Sequence, residues 1–86
     1  MQFEYDPRKS KANREKHGID FEEAQELWDD PEAIGFPARS DDDERFALLG
    51  IVREKLWVAF YTRRDDRIRL ISVRRARTEE RKLYES

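Results

Sequence analysis

The run Leu56-Trp57-Val58-Ala59-Phe60-Tyr61-Thr62 constrains the fold most. It is nearly continuous in apolar, aromatic and β-branched residues, as expected of a strand buried on both faces at the centre of a sheet. Short polar connections flank it, Arg53-Glu54-Lys55 before and Arg63 to Asp66 after, so its neighbours should pair with it antiparallel. The preceding segment, Arg45 to Val52, places Phe46, Leu48 and Val52 on one face and Leu49 and Ile51 on the other. The following segment, Arg67 to Arg74, reads as a strand with Arg67, Arg69, Ile71 and Val73 on one face and Ile68, Leu70, Ser72 and Arg74 on the other. Upstream, Ala33, Ile34 and Phe36 form a short strand that Pro37 ends or confines to an edge. Four main strands in a meander result, and Phe3 and Tyr5 alternate with polar neighbours as a further short strand would.

Helical signals bracket the strands. Asp6-Pro7 opens a polar helix that Gly18 stops, with Asp6 as cap and Pro7 in the first turn. Asp20, with Glu23 three residues on, opens a second helix whose Phe21, Ala24, Leu27 and Trp28 form a buried stripe. Asp30-Pro31 ends it. A last helix should begin at Thr78 as cap; Arg81 then occupies the place where a capping box needs Glu or Gln, so no box is expected. The expected fold is α+β: two N-terminal helices, a four-stranded, mainly antiparallel sheet and a C-terminal helix, in one domain over residues 1–86.

Composition narrows the function. The absence of cysteine excludes disulfides, thiolate metal sites and thiol nucleophiles. No apolar run approaches a membrane span and the N-terminus lacks a signal pattern, so a soluble cytoplasmic protein without membrane contact is expected. The net charge of -2 hides an asymmetry. Residues 1–44 hold 6 Lys/Arg against 14 Asp/Glu, whereas residues 45–86 hold 12 against 6. Eight arginines fall in the nineteen residues from Arg63 to Arg81, interleaved with Ile68, Leu70, Ile71 and Val73. Guanidinium is a permanently charged planar fork suited to phosphate, which makes RNA or DNA the first partner to consider.

Several segments together carry a family resemblance. They are Phe3-x-x-Asp6-Pro7, Asn13-x-x-x-His17-Gly18, Phe21-Glu22-x-Ala24, Asp30-Pro31, Arg45-Phe46, Gly50 and Thr62-x-Arg64. Arg67-Ile68-Arg69-x-Ile71-Ser72-x-Arg74-Arg75-Ala76 and Glu80-Arg81-x-x-Tyr84 complete the set. In this order the chain resembles the BrnT toxins of bacterial type II toxin–antitoxin pairs. The resemblance implies a RelE-like fold and a ribonuclease that slows translation by metal-independent RNA cleavage, needing no cofactor. It also implies a cognate antitoxin that holds the toxin inactive and through which operator DNA is reached.

Cleavage by the RNA's own 2′-hydroxyl needs a proton removed, a charged phosphorane stabilised and a proton given to the leaving 5′-oxygen. Arg64, in the family's Thr-x-Arg pattern, and Arg74 are the leading phosphate ligands, though an antiparallel hairpin would hold them at opposite ends. His17, the only histidine, has an ordinary pKa suited to proton transfer, but a histidine just before Gly18 also stabilises a helix C-terminus. Lys9, Lys11, Arg69, Arg75, Arg81 and Tyr84 are candidate RNA contacts. Against this, Lys9 and Lys11 suit a solvated helix face, Arg69 suits a structural partner such as a carboxylate of the second helix, and Tyr84 suits docking of the last helix. Glu44 and Arg45 read as an ion pair, and Asp41 to Glu44 as a solvated turn rather than a cation site. Trp28 and Trp57 read as core. The alternative function is a non-catalytic, antitoxin-binding corepressor, with the acidic stretch Asp41 to Glu44 as a docking surface for a basic segment.

Overall fold

A computed structural model describes residues 2–39 and 44–86. The order is β1 (Gln2–Glu4), α1 (Pro7–His17), α2 (Phe21–Ala24) running into a 3-10 turn (Gln25–Asp29), β2 (Ile34–Arg39), β3 (Glu44–Val52), β4 (Lys55–Arg64), β5 (Arg67–Arg75) and α3 (Thr78–Glu85). The expected α+β class and three helices are present, but the sheet has five strands and is mixed. In space the strands run β1-β5-β4-β3-β2, with β4 central and β2, which contains Pro37, at an edge. The added strand, β1, pairs parallel to β5. The turn expected over Ser40 to Glu44, and the cation or docking role weighed for it, fall outside the described residues except for Glu44.

The caps follow from the sequence. Asp6 accepts the Arg8 N–H at 2.9 Å, and Gly18 adopts φ 85° while its N–H reaches Arg14 O at 2.9 Å. Asp20 and Glu23 make the reciprocal box, at 2.7 and 3.1 Å. α3 differs from expectation. Its flanking residue is Arg77, not Thr78, and Glu80 in the third position accepts the Arg77 N–H at 2.7 Å. The half-box exists because the helix starts one residue earlier in register than a threonine cap would place it.

Apolar side chains fill both sides of the sheet. On one, Phe21, Ala24 and Leu27 pack fully buried against Val52, Trp57, Ala59, Tyr61, Ile68, Leu70 and Val73. Phe21 and Leu27 each contribute roughly 1.5–3 kcal/mol by leaving water. Trp28 joins this side edge-on to Phe3 and Tyr61, and the Trp57 indole donates to Val52 O at 3.2 Å. On the other side, Ala47, Leu49, Leu56 and Val58 form a smaller cluster, flanked by Phe36, Phe60, Ala76 and Tyr84.

Both short edge strands stop early, and a side chain takes over the pairing beyond each. β1 pairs with β5 only as far as Arg69. At Val73 the buried Asn13 amide does a strand's work: Oδ1 accepts the Val73 N–H (3.1 Å) and Nδ2 donates to Val73 O (2.9 Å) and Ile19 O (2.8 Å). β2 pairs with β3 only up to Leu49, and beyond it the Asp30 carboxylate accepts the Ile51 N–H at 2.9 Å. This close approach requires Gly50, where a Cβ would lie 3.0 Å from Leu27 Cδ2 and 3.2 Å from Asp30 Oδ2. Buried backbone groups are thus satisfied without full-length edge strands.

Candidate nucleic-acid interface

A β-bulge decides which arginines share a face. β4 and β5 pair as Arg64↔Arg67, Thr62↔Arg69 and Tyr61↔Leu70, then resume at Phe60↔Ser72 and Val58↔Arg74, leaving Ile71 over. The extra residue shifts the alternation by one. Arg67, Arg69, Ser72 and Arg74 therefore share a face, while Ile68, Leu70, Val73 and Arg75 share the other, which corrects the split expected from simple alternation. The arginine-bearing face lies opposite α2. Across β4 it carries Arg64, Thr62, Phe60 and Val58, and across β3 Arg45, Ala47 and Leu49.

Each arginine on this face has a distinct environment. Arg64 and Arg67 are exposed and, among the described residues, make no ion pair even with Asp65 and Asp66 in the turn between them. Arg69 pairs with Glu4 at 3.4 Å, so its carboxylate partner comes from β1 and not from the second helix. Arg74 forms a bidentate pair with Glu80, at 2.8 and 2.7 Å, and lies 5.2 Å from the Phe60 ring centroid. That pair raises the Arg74 pKa and lowers that of Glu80, in each case chiefly through the hydrogen bonds between them. Arg45 is half-buried, its Nε is shielded from solvent, and it has no partner among the described residues. The ion pair expected with Glu44 is absent, because neighbouring residues on a strand point to opposite faces. An unpaired buried N–H of this kind costs about 1–3 kcal/mol.

The remaining candidates lie elsewhere. Arg75 stacks over Trp57 (5.4 Å) and Arg63 over Phe46 (5.5 Å), both on the helix-covered face. Lys9 and Lys11 are exposed on α1, which lies along β5 beside α2. His17 ends α1, past the Asn13–Val73 contact and so toward the end of the sheet away from Arg64. Arg74 is level with Val58, six residues along β4 from Arg64 and about 20 Å away at strand rise. The three residues weighed for catalysis thus occupy three separate places. Arg81 is exposed on α3. Tyr84 docks that helix, donating to Asp30 Oδ2 at 2.7 Å. The bond to Asp30, with burial second, pushes the Tyr84 pKa up to about 12. Burial alone would push the Asp30 carboxyl up, but the bonds from Tyr84, Ile51 and Glu32 outweigh it and hold it below its ordinary value.

The arginine face is a surface rather than a hole. A cleft of about 420 Å³ opens at the other end of the sheet between Glu26, Asp29, Asp30, Ile51, Val52 and Arg53, where three carboxylates disfavour phosphate. Among the described residues no group of three or more His, Cys, Asp or Glu is placed to hold a metal ion, and no helix is long and apolar enough to cross a membrane.

The family model described as ribonuclease toxin, BrnT, of type II toxin–antitoxin system matches residues 5–80. The chain belongs to this family. No curated protein matches the sequence significantly. BrnT membership makes the chain a type II ribonuclease toxin by family and a cognate antitoxin its partner. For a BrnT chain, the match spans every element from α1 to β5 and the first residues of α3, so the whole arginine face lies within it. In the sequence Arg45 stood only as an ion-pair partner of Glu44, Thr62 only within the Thr-x-Arg pattern and Phe60 only within the central apolar strand; all three lie on that face. Arg45 could have been found from its parity with Leu49, since both sit on odd positions of one strand.

Proposed function

We propose that the open sheet face is where this BrnT chain, as one toxin domain acting in the cytoplasm, binds and cuts RNA. The observation that carries this reading is the register of β4 and β5, which sets Arg64 opposite Arg67 and Thr62 opposite Arg69 on one face, while the bulge at Ile71 turns Ser72 and Arg74 onto it as well. A strand laid there meets guanidinium forks for its phosphates and the Phe60 ring for a base. Cleavage proceeds without metal: the 2′-hydroxyl gives its proton to water and attacks the adjacent phosphorus, the 5′-oxygen leaves and takes a proton from water, and a 2′,3′-cyclic phosphate remains. Arg64 and Arg69 stabilise the charge that builds on the phosphorane oxygens. Arg74, held by Glu80, shapes the edge of the surface, and His17, on α1 at the far end, takes no part. Loss of RNA slows translation, the antitoxin neutralises the toxin, and operator DNA is contacted only through that partner.

The test is incubation of the purified chain with single-stranded RNA in the presence of a chelator, followed by analysis of product ends. Cyclic-phosphate ends from the wild type and from Lys9→Ala and His17→Gln, but not from Arg64→Ala, are expected. Intact RNA with folded protein would leave the non-catalytic corepressor instead.

A further inference from the structure

We infer that Arg45 is a phosphate ligand of the RNA surface, an inference that rests on the reading above. Its place in the sheet comes first. Ala38 of β2 pairs with Arg45, and Phe46 faces Tyr61, so the next step outward sets Arg45 level with Thr62. Thr62 in turn faces Arg69, and Arg69 faces Glu4. One row therefore crosses the open face as Ala38, Arg45, Thr62, Arg69 and Glu4. Arg45 and Arg69 flank the threonine from either side. With strands about 4.8 Å apart their Cα atoms are about 10 Å apart, close enough for two arginine side chains to converge above one hydroxyl.

The second observation concerns what Arg45 lacks. The other half-buried arginines, Arg69 and Arg74, each have a carboxylate, Glu4 and Glu80. Even exposed arginines such as Arg14 and Arg53 are paired, sharing Glu23. Arg45 is half-buried with its Nε shielded, and no described residue accepts from it. Buried donors in folded proteins are almost always satisfied, so a shielded guanidinium N–H without an acceptor marks a place for one that arrives with a ligand. Its described neighbours along this face, Ala38 across the strand pair and Ala47 two residues along β3, are small and carry no acceptor in their side chains. A tetrahedral anion above Thr62 would take donors from Arg45, Arg69 and the hydroxyl together, which suits a phosphodiester better than a planar carboxylate.

The experiment uses the purified full chain and a fluorescent single-stranded RNA carrying 2′-O-methyl groups, so that it binds without being cut. Affinity is followed against salt for the wild type, Arg45→Met and Arg45→Lys, with melting temperature measured beside it. Each phosphate contact to a single strand contributes about 0.7 to the slope of log affinity against log salt. Arg45→Met should bind roughly tenfold more weakly, with a slope shallower by about 0.7, and should melt no lower than the wild type. Arg45→Lys should keep the slope and lose part of the affinity, because it retains the charge without the fork. Wild-type affinity and slope in Arg45→Met would overturn the assignment while leaving the RNA surface standing. Failure of the wild type itself to bind the RNA would overturn the functional reading along with it.

Discussion

Replacing Asn13 should damage this fold severely while touching no proposed RNA contact. Its side chain makes three hydrogen bonds, of 2.8, 2.9 and 3.1 Å, to Ile19 O, Val73 O and Val73 N. Val73 is 0% exposed and Ile19 3%, so water has no ready route to the groups left behind. Asn13→Ala strands one N–H and two carbonyls, each worth about 1–3 kcal/mol when unsatisfied. Discounting the carbonyls, which tolerate under-satisfaction better, leaves a loss of about 3 kcal/mol. A domain of this length has about 4–13 kcal/mol in all, and each kcal/mol moves its Tm by about 4–8 °C, so a fall of about 12–24 °C is expected. Asn13→Asp should lose at least as much, because a carboxylate still accepts from Val73 N but opposes two carbonyl oxygens. Thermal and urea melts read both variants. An Asn13→Ala melt within about 3 °C of wild type would refute the claim that this amide replaces a missing strand.

Gly50→Ala should destabilise by about 1–3 kcal/mol in a urea melt, since its Cβ would press on Leu27, Asp30 and Ala33 at 3.0, 3.2 and 3.3 Å. Glu54→Gly should stabilise by about 0.5–1 kcal/mol, read as a higher urea midpoint, because Arg53 and Glu54 hold φ of 52° and 72° in a two-residue hairpin turn that favours glycine. The Asp30–Tyr84 contact gives opposite signs at the two ends of the pH scale. The depressed Asp30 pKa contributes stability that is present above the ordinary carboxylate value of 3.8 and lost as pH falls through the lower folded value. The raised Tyr84 pKa contributes stability that is full below 10.0 and lost as pH climbs toward about 12. An ultraviolet titration should therefore show Tyr84 ionising late, and earlier in Asp30→Asn.

What was legible in the sequence was local. The Asp6, Gly18 and Asp20–Glu23 caps lie within a turn of the helices they govern, and the apolar run Leu56 to Thr62 announces a central strand by itself. The placement of Arg74 was not legible, because Ile71 looks like any other strand residue. Only pairing with Phe60 and Tyr61 across the hairpin makes it a bulge and turns every later side chain over. The parallel pairing of β1 was hidden in the same way, since three residues give no sign of which edge they join. Asn13 and Asp30 stood in recognisable segments, yet their work depends on where β1 and β2 stop. The partners of Arg69 and Arg74 required contacts that no spacing rule supplies, and for Arg69 the expected helix carboxylate proved to be Glu4. On the candidate site, the sequence offered Arg64 and Arg69, which fall on one face, but scattered the other candidates over both faces.

The central claim is that RNA binds the open arginine face, and backbone NMR on the labelled chain tests it most directly. Titration with an uncleavable single-stranded RNA should shift the amides of Phe60, Thr62, Arg64, Arg67, Arg69 and Ser72 together, leaving Lys9, Lys11 and His17 in place. Shifts gathered along α1, with that face of the sheet silent, would contradict it.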